Sequence, residues 1–151
     1  MGIKIISKNR KAYHHYEIGD TLEAGMELLG TEVKALRINK VNLGDGWVDI
    51  TDQTEAILKE VHIGQYTHGN RHNHEEKRER RLLLHRKEII KLSRAVNERG
   101  LTIVPTKIYF KDRYIKLQIA TAKGKKSFDK RQATKTKDAN REIERAIKNN
   151  R

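Results

Sequence analysis

Residues 101–131 read LTIVPTKIYFKDRYIKLQIATAKGKKSFDKR, and two runs of alternating apolar residues meet there at a tight turn. The apolar positions before the turn at 111–113 are Ile103, Ile108 and Phe110, and those after it are Tyr114, Ile115, Leu117 and Ile119. A period of two on both sides of a short polar turn predicts a long β-hairpin. Pro105 lies within the first run, which indicates that this strand is either an edge strand or broken at that point.

Directly after the hairpin the chain becomes strongly cationic. The last 29 residues hold eleven Lys and Arg against four Asp and Glu, so about half of the formal net charge of +13 lies there. Such a segment buries too little apolar surface to offset its ordering entropy, and we predict that it is disordered when free. After a candidate N-cap at Asp138, a narrow apolar stripe predicts a helix that forms on a partner; the stripe comprises Ala139, Ile143, Ala146 and Ile147. We therefore divide the chain into a barrel domain, 1–122, and a basic tail, 123–151.

The composition indicates what kind of partner the protein has. Lys and Arg at this density repel one another unless phosphates neutralise them, so a polyanion is the expected partner, with nucleic acid favoured over a membrane. No apolar run approaches the length of a membrane span and residues 1–20 lack the apolar core of a signal peptide, so we expect a cytoplasmic monomer without membrane contact. The absence of cysteine excludes disulfides and thiolate metal sites, and we expect no cofactor.

The first hundred residues predict short strands and few helices. We predict a half-buried strand at 20–29, a short helix at 31–40 capped by Thr31, two antiparallel strands at 42–50 and 55–63, and a long helix at 82–99 that ends at Gly100. The predicted core of the two central strands comprises Trp47, Val48, Ile57, Leu58 and Val61. Together these elements predict a mainly β protein: a small antiparallel barrel of the oligonucleotide-binding kind with a few flanking helices.

Two segments of the body carry candidate RNA contacts. Residues 9–16 are dense in donors and aromatic rings and include Lys11; they either grip RNA or form a solvated arm whose Tyr13 and Tyr16 pack on the core. On the short helix, Lys34, Arg37 and Lys40 face outward together.

A histidine-rich stretch at 64–81 contains His68, His72 and His74. Three imidazoles at this spacing are able to converge on a metal, but the segment has no apolar residue to fix ligands in place, so a phosphate-contacting loop is the favoured interpretation.

Several motifs, in order along nearly the whole chain, resemble the SsrA-binding protein (small protein B) family. They are NRKAxH at 9–14, LEAG at 22–25, GTEVKALR at 30–37, KVNL at 40–43, RLLLHRKEI at 81–89, KGKKxxDKR at 123–131 and REIER at 141–145. GTEVKALR, RLLLHRKEI and KGKKxxDKR in one chain of this length make the resemblance specific.

The resemblance implies an oligonucleotide-binding barrel that holds the tRNA-like domain of transfer-messenger RNA and delivers it to stalled ribosomes. It implies no catalysis by the protein itself; alanyl-tRNA synthetase, elongation factor Tu and the ribosome supply the chemistry. By motif, the RNA-facing positions are Asn9, His14, Glu23, Gly25, Leu83 and Lys116. For Glu23 the alternative is a solvated strand residue paired with Lys116 or another base.

The resemblance also assigns a role to the tail, which in the family becomes helical along the empty messenger channel near the decoding centre. The tail positions expected to contact the ribosome are Lys123, Gly124, Lys125, Lys126, Phe128, Asp129, Lys130 and Arg131. Phe128 either stacks on a base or turns against the barrel.

Two rival functions stay open at this point. A ribonuclease would use His14 or His85 with Glu88 as general base and acid. A ribosomal protein or a general RNA-binding module would share the same charge and composition without specificity for one RNA.

Overall fold

The computed structural model describes residues 2–51, 54–66 and 73–125. The strands are β1 (Ile3–Lys8), β2 (Tyr16–Met26), β3 (Val41–Asn42), β4 (Trp47–Thr51), β5 (Glu55–Lys59), β6 (His62–Ile63), β7 (Arg80–Leu83), β8 (Thr102–Lys111) and β9 (Tyr114–Gly124). The helices are α1 (Arg10–His15), α2 (Gly30–Arg37) and α3 (Arg86–Arg99). The described helices are too short and too polar for any of them to cross a membrane.

Seven strands form one antiparallel sheet in the order β1-β8-β9-β2-β7-β5-β4, and β3 and β6 form a separate pair. The large sheet curls so that β4 comes back into contact with β8, and α3 packs beside both. The predicted fold class, a mainly β antiparallel barrel with few helices, is therefore confirmed.

The predicted hairpin forms the second and third strands of this sheet. Lys111 pairs with Tyr114 across a turn in which Asp112 has φ 56°. The prediction that β8 is an edge strand is wrong, because β8 pairs with β1 on one side and β9 on the other. The predicted break is present, since the β8–β9 register shifts between Pro105 and Lys107. Pro105 also lies beyond the last β1–β8 pair, so its missing N–H removes no bond from that ladder.

The long helix predicted from residue 82 begins four residues later. Leu82 belongs to β7 and is buried opposite Ala56, whereas α3 starts after His85, whose backbone is extended. The leucine run is compatible with both the helical period and the strand period of two. In the observed strand, Leu82 is buried and Leu83 is exposed. Gly100, at φ 65°, ends α3 as predicted.

The predictions for residues 20–63 need four corrections. Strand β2 starts at Tyr16 and ends at Met26, before Leu29. Thr31 does not cap α2; instead the Glu32 carboxylate accepts a hydrogen bond from the backbone N–H of Leu29, at 2.8 Å. The strands predicted at 42–50 and 55–63 are each divided in two. Trp47 is 37% exposed and is therefore not a core residue, and Ile57 is only half-buried.

The barrel interior is a continuous apolar cluster that includes Leu36, Leu58, Leu92, Ile103 and Leu117. A smaller cluster of Ala12, Val104 and Ala122 lies at the far end of the hairpin, where Tyr16 packs against it. The N-terminal segment is therefore not a solvated arm, because α1 is seated on the sheet through this second cluster. Tyr13, by contrast, is 51% exposed.

Candidate nucleic-acid interface

Three of the predicted RNA-facing residues lie side by side across three strands. Gly25 of β2 is paired with Leu83 of β7 on one side and with Lys116 of β9 on the other. The same register continues through Tyr109 of β8 to Ile5 of β1. We call these five residues, Leu83, Gly25, Lys116, Tyr109 and Ile5, the cross-strand row. Gly25, Leu83 and Lys116, which are 33 to 91 positions apart along the chain, therefore meet on one line.

The cross-strand row is on the outside of the barrel. Residues adjacent to it in the chain, Ala24, Leu82 and Leu117, are buried, and side chains alternate between the two faces of a strand. Leu83 is 51% exposed and Ile5 is 42% exposed, so the row offers apolar surface to a partner.

Gly25 leaves space along the row. A Cβ at this position would lie 3.3 Å from the Cβ of Leu83 and 3.4 Å from its Cδ1. A groove of about 290 Å³ runs beside these two residues and is also lined by Arg113, Tyr114 and Lys116. The groove thus combines two cations, a phenol and apolar side chains.

Glu23 lies two residues before Gly25 in β2, and therefore on the same face of the strand, and it pairs with Gln118 of β9. The hydroxyl of Tyr109 donates a hydrogen bond to its Oε2 at 2.5 Å, and Lys111 Nζ donates to its Oε1 at 3.2 Å. The hydrogen bond from Tyr109 is the main cause that lowers the pKa of Glu23, with burial opposing it and Lys111 and Lys116 adding to it. The alternative interpretation, in which Glu23 pairs with a base, is thus supported: the base is Lys111, Tyr109 adds a hydrogen bond, and Lys116 contributes through its charge.

Tyr109 is the residue on this face that sequence reasoning missed. It is 3% exposed, with Lys107 Nζ lying 5.5 Å from the centre of its ring. Burial and the hydrogen bond to Glu23 both raise the pKa of its hydroxyl, so Tyr109 remains a donor at neutral pH. The hairpin register was the available signal, because it places Tyr109 beside Lys116.

Asn9 has a structural role in this part of the fold. It is 2% exposed; its amide donates to the carbonyls of Pro105 and Leu43, at 2.8 and 3.1 Å, and its Oδ1 accepts from the N–H of Ala12. Asn9 therefore caps α1 and joins it to β8 and to the loop before β4. Direct contact between Asn9 and RNA stays a prediction.

The other candidates lie on α1 and α2 and are not part of the cross-strand row. Lys11 pairs with Asp45 at 2.7 Å, and the half-buried His14 makes an edge contact with His15. Lys34 and Arg37 are exposed on α2 as predicted, with Lys34 Nζ lying 5.5 Å from the centre of the Tyr66 ring.

Buried charges hold α2 in place. Glu32 accepts hydrogen bonds from Arg80 Nε at 2.6 Å and from Arg78 at 2.5 Å. Burial opposes ionisation of Glu32, but the bonds from Arg78 and from the Leu29 N–H and the charge of Arg80 lower its pKa overall. Arg80 also donates to the carbonyls of Val61 and Glu76. Arg80 is therefore a structural residue, in a segment where sequence analysis expected a phosphate-contacting loop.

Of the three histidines considered for a metal site, the structure describes His74 alone. His68 and His72 lie outside the described residues, and His74 is buried with Nδ1 bonded to Thr31 Oγ1 and Nε2 to the carbonyl of Ile63. In the ranges 2–51, 54–66 and 73–125, no group of metal-ligating side chains comes together.

The two neighbouring residues of the ribonuclease hypothesis, His85 and Glu88, are joined through the main chain. The Glu88 carboxylate accepts from the backbone N–H of His85 at 2.9 Å, which is a helix-capping interaction rather than a contact with the imidazole.

Strand β9 continues through Lys123 and Gly124, two residues into the segment assigned to the tail. Lys125 is then held beside α1, its N–H donating to the carbonyl of His15 and its Nζ to that of Tyr13. The remaining tail calls, Lys126, Phe128, Asp129, Lys130, Arg131 and the helix after Asp138, lie outside the described residues.

Comparison with known proteins places these residues in a family context. The family model described as SmpB protein matches residues 6–149. The chain is 53% identical over 148 residues to the SsrA-binding protein of Syntrophotalea carbinolica, covering 98% of each chain. It is 55% identical over 146 residues to that of a Nocardioides species, covering 97% of this chain and 91% of the relative.

A solved structure is also similar. A chain from the structure described as "tmRNA-SmpB: a journey to the center of the bacterial ribosome" superposes with a TM-score of 0.68 and 43% identity, over 80% of this chain and 85% of that one.

Proposed function

Because this chain belongs to the SmpB protein family, we propose that it binds the tRNA-like domain of transfer-messenger RNA and brings it to stalled ribosomes in the cytoplasm. The observation that carries the proposal is the assembly of Gly25, Leu83 and Lys116 on one line, with Glu23 beside them.

The chemistry of this face suits a folded RNA. Lys116 and Arg113 supply cations for phosphates, and Leu83 supplies an apolar surface for a sugar or an unstacked base. Glu23, held as a carboxylate, accepts only, so its partner is a 2′-hydroxyl or a base amino group. The face therefore recognises sugar or base groups of the RNA in addition to its phosphates.

The protein acts as a binding partner rather than as an enzyme. In this proposal alanyl-tRNA synthetase charges the RNA, elongation factor Tu carries the complex, and the ribosome performs peptide transfer. The tail from Lys125 onward enters the messenger channel beside the decoding centre, with the lysines of KGKKxxDKR on ribosomal phosphates.

The test measures affinity for the tRNA-like domain in the presence of excess bulk tRNA. We expect Lys116→Ala and Leu83→Ala to weaken binding, whereas Lys91→Ala on the exposed side of α3 removes the same charge away from the face and has little effect. Equal losses for Lys116→Ala and Lys91→Ala would contradict the proposal.

A general RNA-binding module is the second candidate, and the formal charge of +13 favours it. Competition separates the two functions, because a general binder releases the tRNA-like domain to bulk tRNA at the same concentration at which it releases any other RNA.

A further inference from the structure

A second groove lies between β2 and the helix α3, and we call it the α3 groove. It has a volume of about 270 Å³. Asp20 and Leu22 of β2 and Thr121 of β9 line one side, and α3 lines the other side from Lys87 to Arg99. None of these residues belongs to the cross-strand row or lines the groove beside it.

The sheet side of the α3 groove is the edge of a strand. β9 pairs with β2 from Tyr16 to Gly25, whereas β7 pairs with β2 only at Gly25 and Met26. β7 ends at Leu83, where the chain turns towards α3. Among the described residues, the edge of β2 that faces away from β9 therefore has no strand partner between Tyr16 and Ala24. Every second residue of such an edge directs its N–H and C=O outward, where another chain can bond to them.

The floor of the α3 groove is apolar. Leu22 is partly buried against the barrel core, Ile90 is half-buried, and Leu92 is buried. From Lys87 to Arg99 the helix extends about 18 Å at a rise of 1.5 Å per residue. This is the length of about five or six residues in an extended strand, so the groove is long enough to contact a short peptide.

Exposed charged side chains border this floor. They are four cations, Lys87, Lys91, Arg94 and Arg99, and two carboxylates, Asp20 and Glu98. Elsewhere several cations are paired, such as Lys59 with Asp49 at 3.0 Å. None of the four cations of the α3 groove makes an ion pair with a carboxylate in the described part of the chain. Four cations against two carboxylates leave an excess of two positive charges, which attracts an acidic partner.

The chemistry of the α3 groove favours a protein segment over RNA. The described lining offers no aromatic ring for an unpaired base to stack on, whereas the edge of β2 matches the main chain of a peptide. The tail of this chain is a poor occupant, because residues 123–151 hold eleven Lys and Arg against four Asp and Glu and repel the cations of α3. The expected occupant is therefore acidic and comes from another protein.

We propose that the α3 groove binds an extended acidic segment of another protein, which adds a strand to the edge of β2 and places its carboxylates beside Lys91 and Arg94. Apolar side chains at every second position of the segment face Leu22 and Ile90. Leu22 and Glu23 are adjacent and lie on opposite faces of β2, so this site does not depend on the function assigned to the cross-strand row.

The probe is a fluorescein-labelled peptide of eight residues in which Val and Glu alternate. Added to the full-length protein, it should bind saturably when followed by anisotropy. A peptide with the same side chains and an N-methyl group on every amide keeps the charge but has no main-chain donor, and a Val–Lys peptide reverses the charge. Each control should bind about tenfold more weakly or worse. The absence of saturable binding, or equal affinity for either control, overturns the proposal.

Substitutions locate the bound peptide. Lys91→Glu combined with Arg94→Glu should lower its affinity about tenfold. Lys4→Glu combined with Lys8→Glu is the matched control, since it makes the same change of charge on exposed positions of β1 and should have little effect. Circular dichroism checks that both variants are folded. Equal losses in the two variants would show attraction to the overall charge and overturn the proposal.

Two competitors test the other occupants. A peptide of residues 126–151 that displaces the probe as well as unlabelled probe does would make the tail the occupant. A ten-nucleotide single-stranded RNA that displaces the probe, and whose affinity falls equally in the Lys91→Glu, Arg94→Glu variant, would make the groove an RNA site. Either result overturns the proposal. Lys116→Ala should leave the affinity for the Val–Glu peptide unchanged, so failure of this site and failure of the tRNA-like-domain function give different results.

Discussion

Arg80 Nε lies 2.6 Å from Glu32 Oε2, and neither side chain is exposed to solvent. This pair connects β7 to α2, and the remaining donors of Arg80 reach the carbonyls of Val61 and Glu76. A buried ion pair adds little net stability over an apolar pair, but removing one partner leaves a buried charge.

Arg80→Met should therefore lower the free energy of unfolding by about 3–5 kcal/mol. Urea denaturation followed by circular dichroism measures the change. Lys11→Met is the control, since it breaks an exposed pair and should cost at most about 1 kcal/mol. A loss below that of the control would show that Arg80 is dispensable.

The same carboxylate predicts how stability depends on pH. The folded-state pKa of Glu32 lies below its ordinary value of 4.5, so its contribution is present above pH 4.5 and is lost as the pH falls through the folded pKa. As the pH is lowered below 4.5, the free energy of unfolding should fall more steeply for the wild type than for Glu32→Gln. Parallel curves would contradict this.

Tyr109→Phe should weaken binding of the tRNA-like domain about three- to tenfold without unfolding the barrel. The hydroxyl is the main cause of the low pKa of Glu23, so its loss leaves the carboxylate less well held and easier to protonate. Isothermal titration measures the affinity. In a Glu23→Gln background the same change should have little further effect; an undiminished loss there would mean that Tyr109 acts independently of Glu23.

Gly25→Ala tests the space along the cross-strand row. The new Cβ, 3.3 Å from the Cβ of Leu83, should displace that side chain by a few tenths of an ångström and weaken RNA binding. Thermal denaturation should show a change in stability of no more than about 1 kcal/mol. Wild-type affinity in this variant would show that the position of Leu83 is not critical.

The tail can be removed without touching the barrel only after Lys125, because β9 pairs through Gly124 with Tyr16. Truncation there should keep most of the affinity for the tRNA-like domain and abolish peptide tagging in a stalled-ribosome assay. Phe128→Ala and Ile143→Pro should impair tagging while leaving RNA affinity unchanged. If both variants tag at the wild-type rate, the tail acts only through its charge.

The hairpin was predictable because alternation in β8 and β9 extends over many residues and the turn is short. The boundary at residue 82 was not, because Leu82 and Leu84 fit a strand while Leu82 and Ile89 fit a helix. Pairing with β2 and β5 decides between them, and neither pairing is local in the sequence.

The candidate site, like the fold, was predictable from the sequence only in part. Gly25, Leu83 and Lys116 came from motifs, whereas Tyr109 and the buried role of Arg80 depend on strand register and on a partner 48 positions away. Trp47 is predicted in the core because aromatic residues in strands usually pack inside, and the sequence alone does not reveal that this side chain is 37% exposed.

The cross-strand row also has a defined length, the distance from Leu83 to Ile5. Four strand spacings of about 4.8 Å separate Leu83 from Ile5, so the row extends at most about 19 Å across the curved sheet. In the proposed RNA complex the two ends of the row would meet different nucleotides, because this span is several times the spacing of about 3.4 Å per nucleotide along one strand. Since main-chain hydrogen bonds set this spacing, a side chain in the row can change without altering the distance between the two ends of the row.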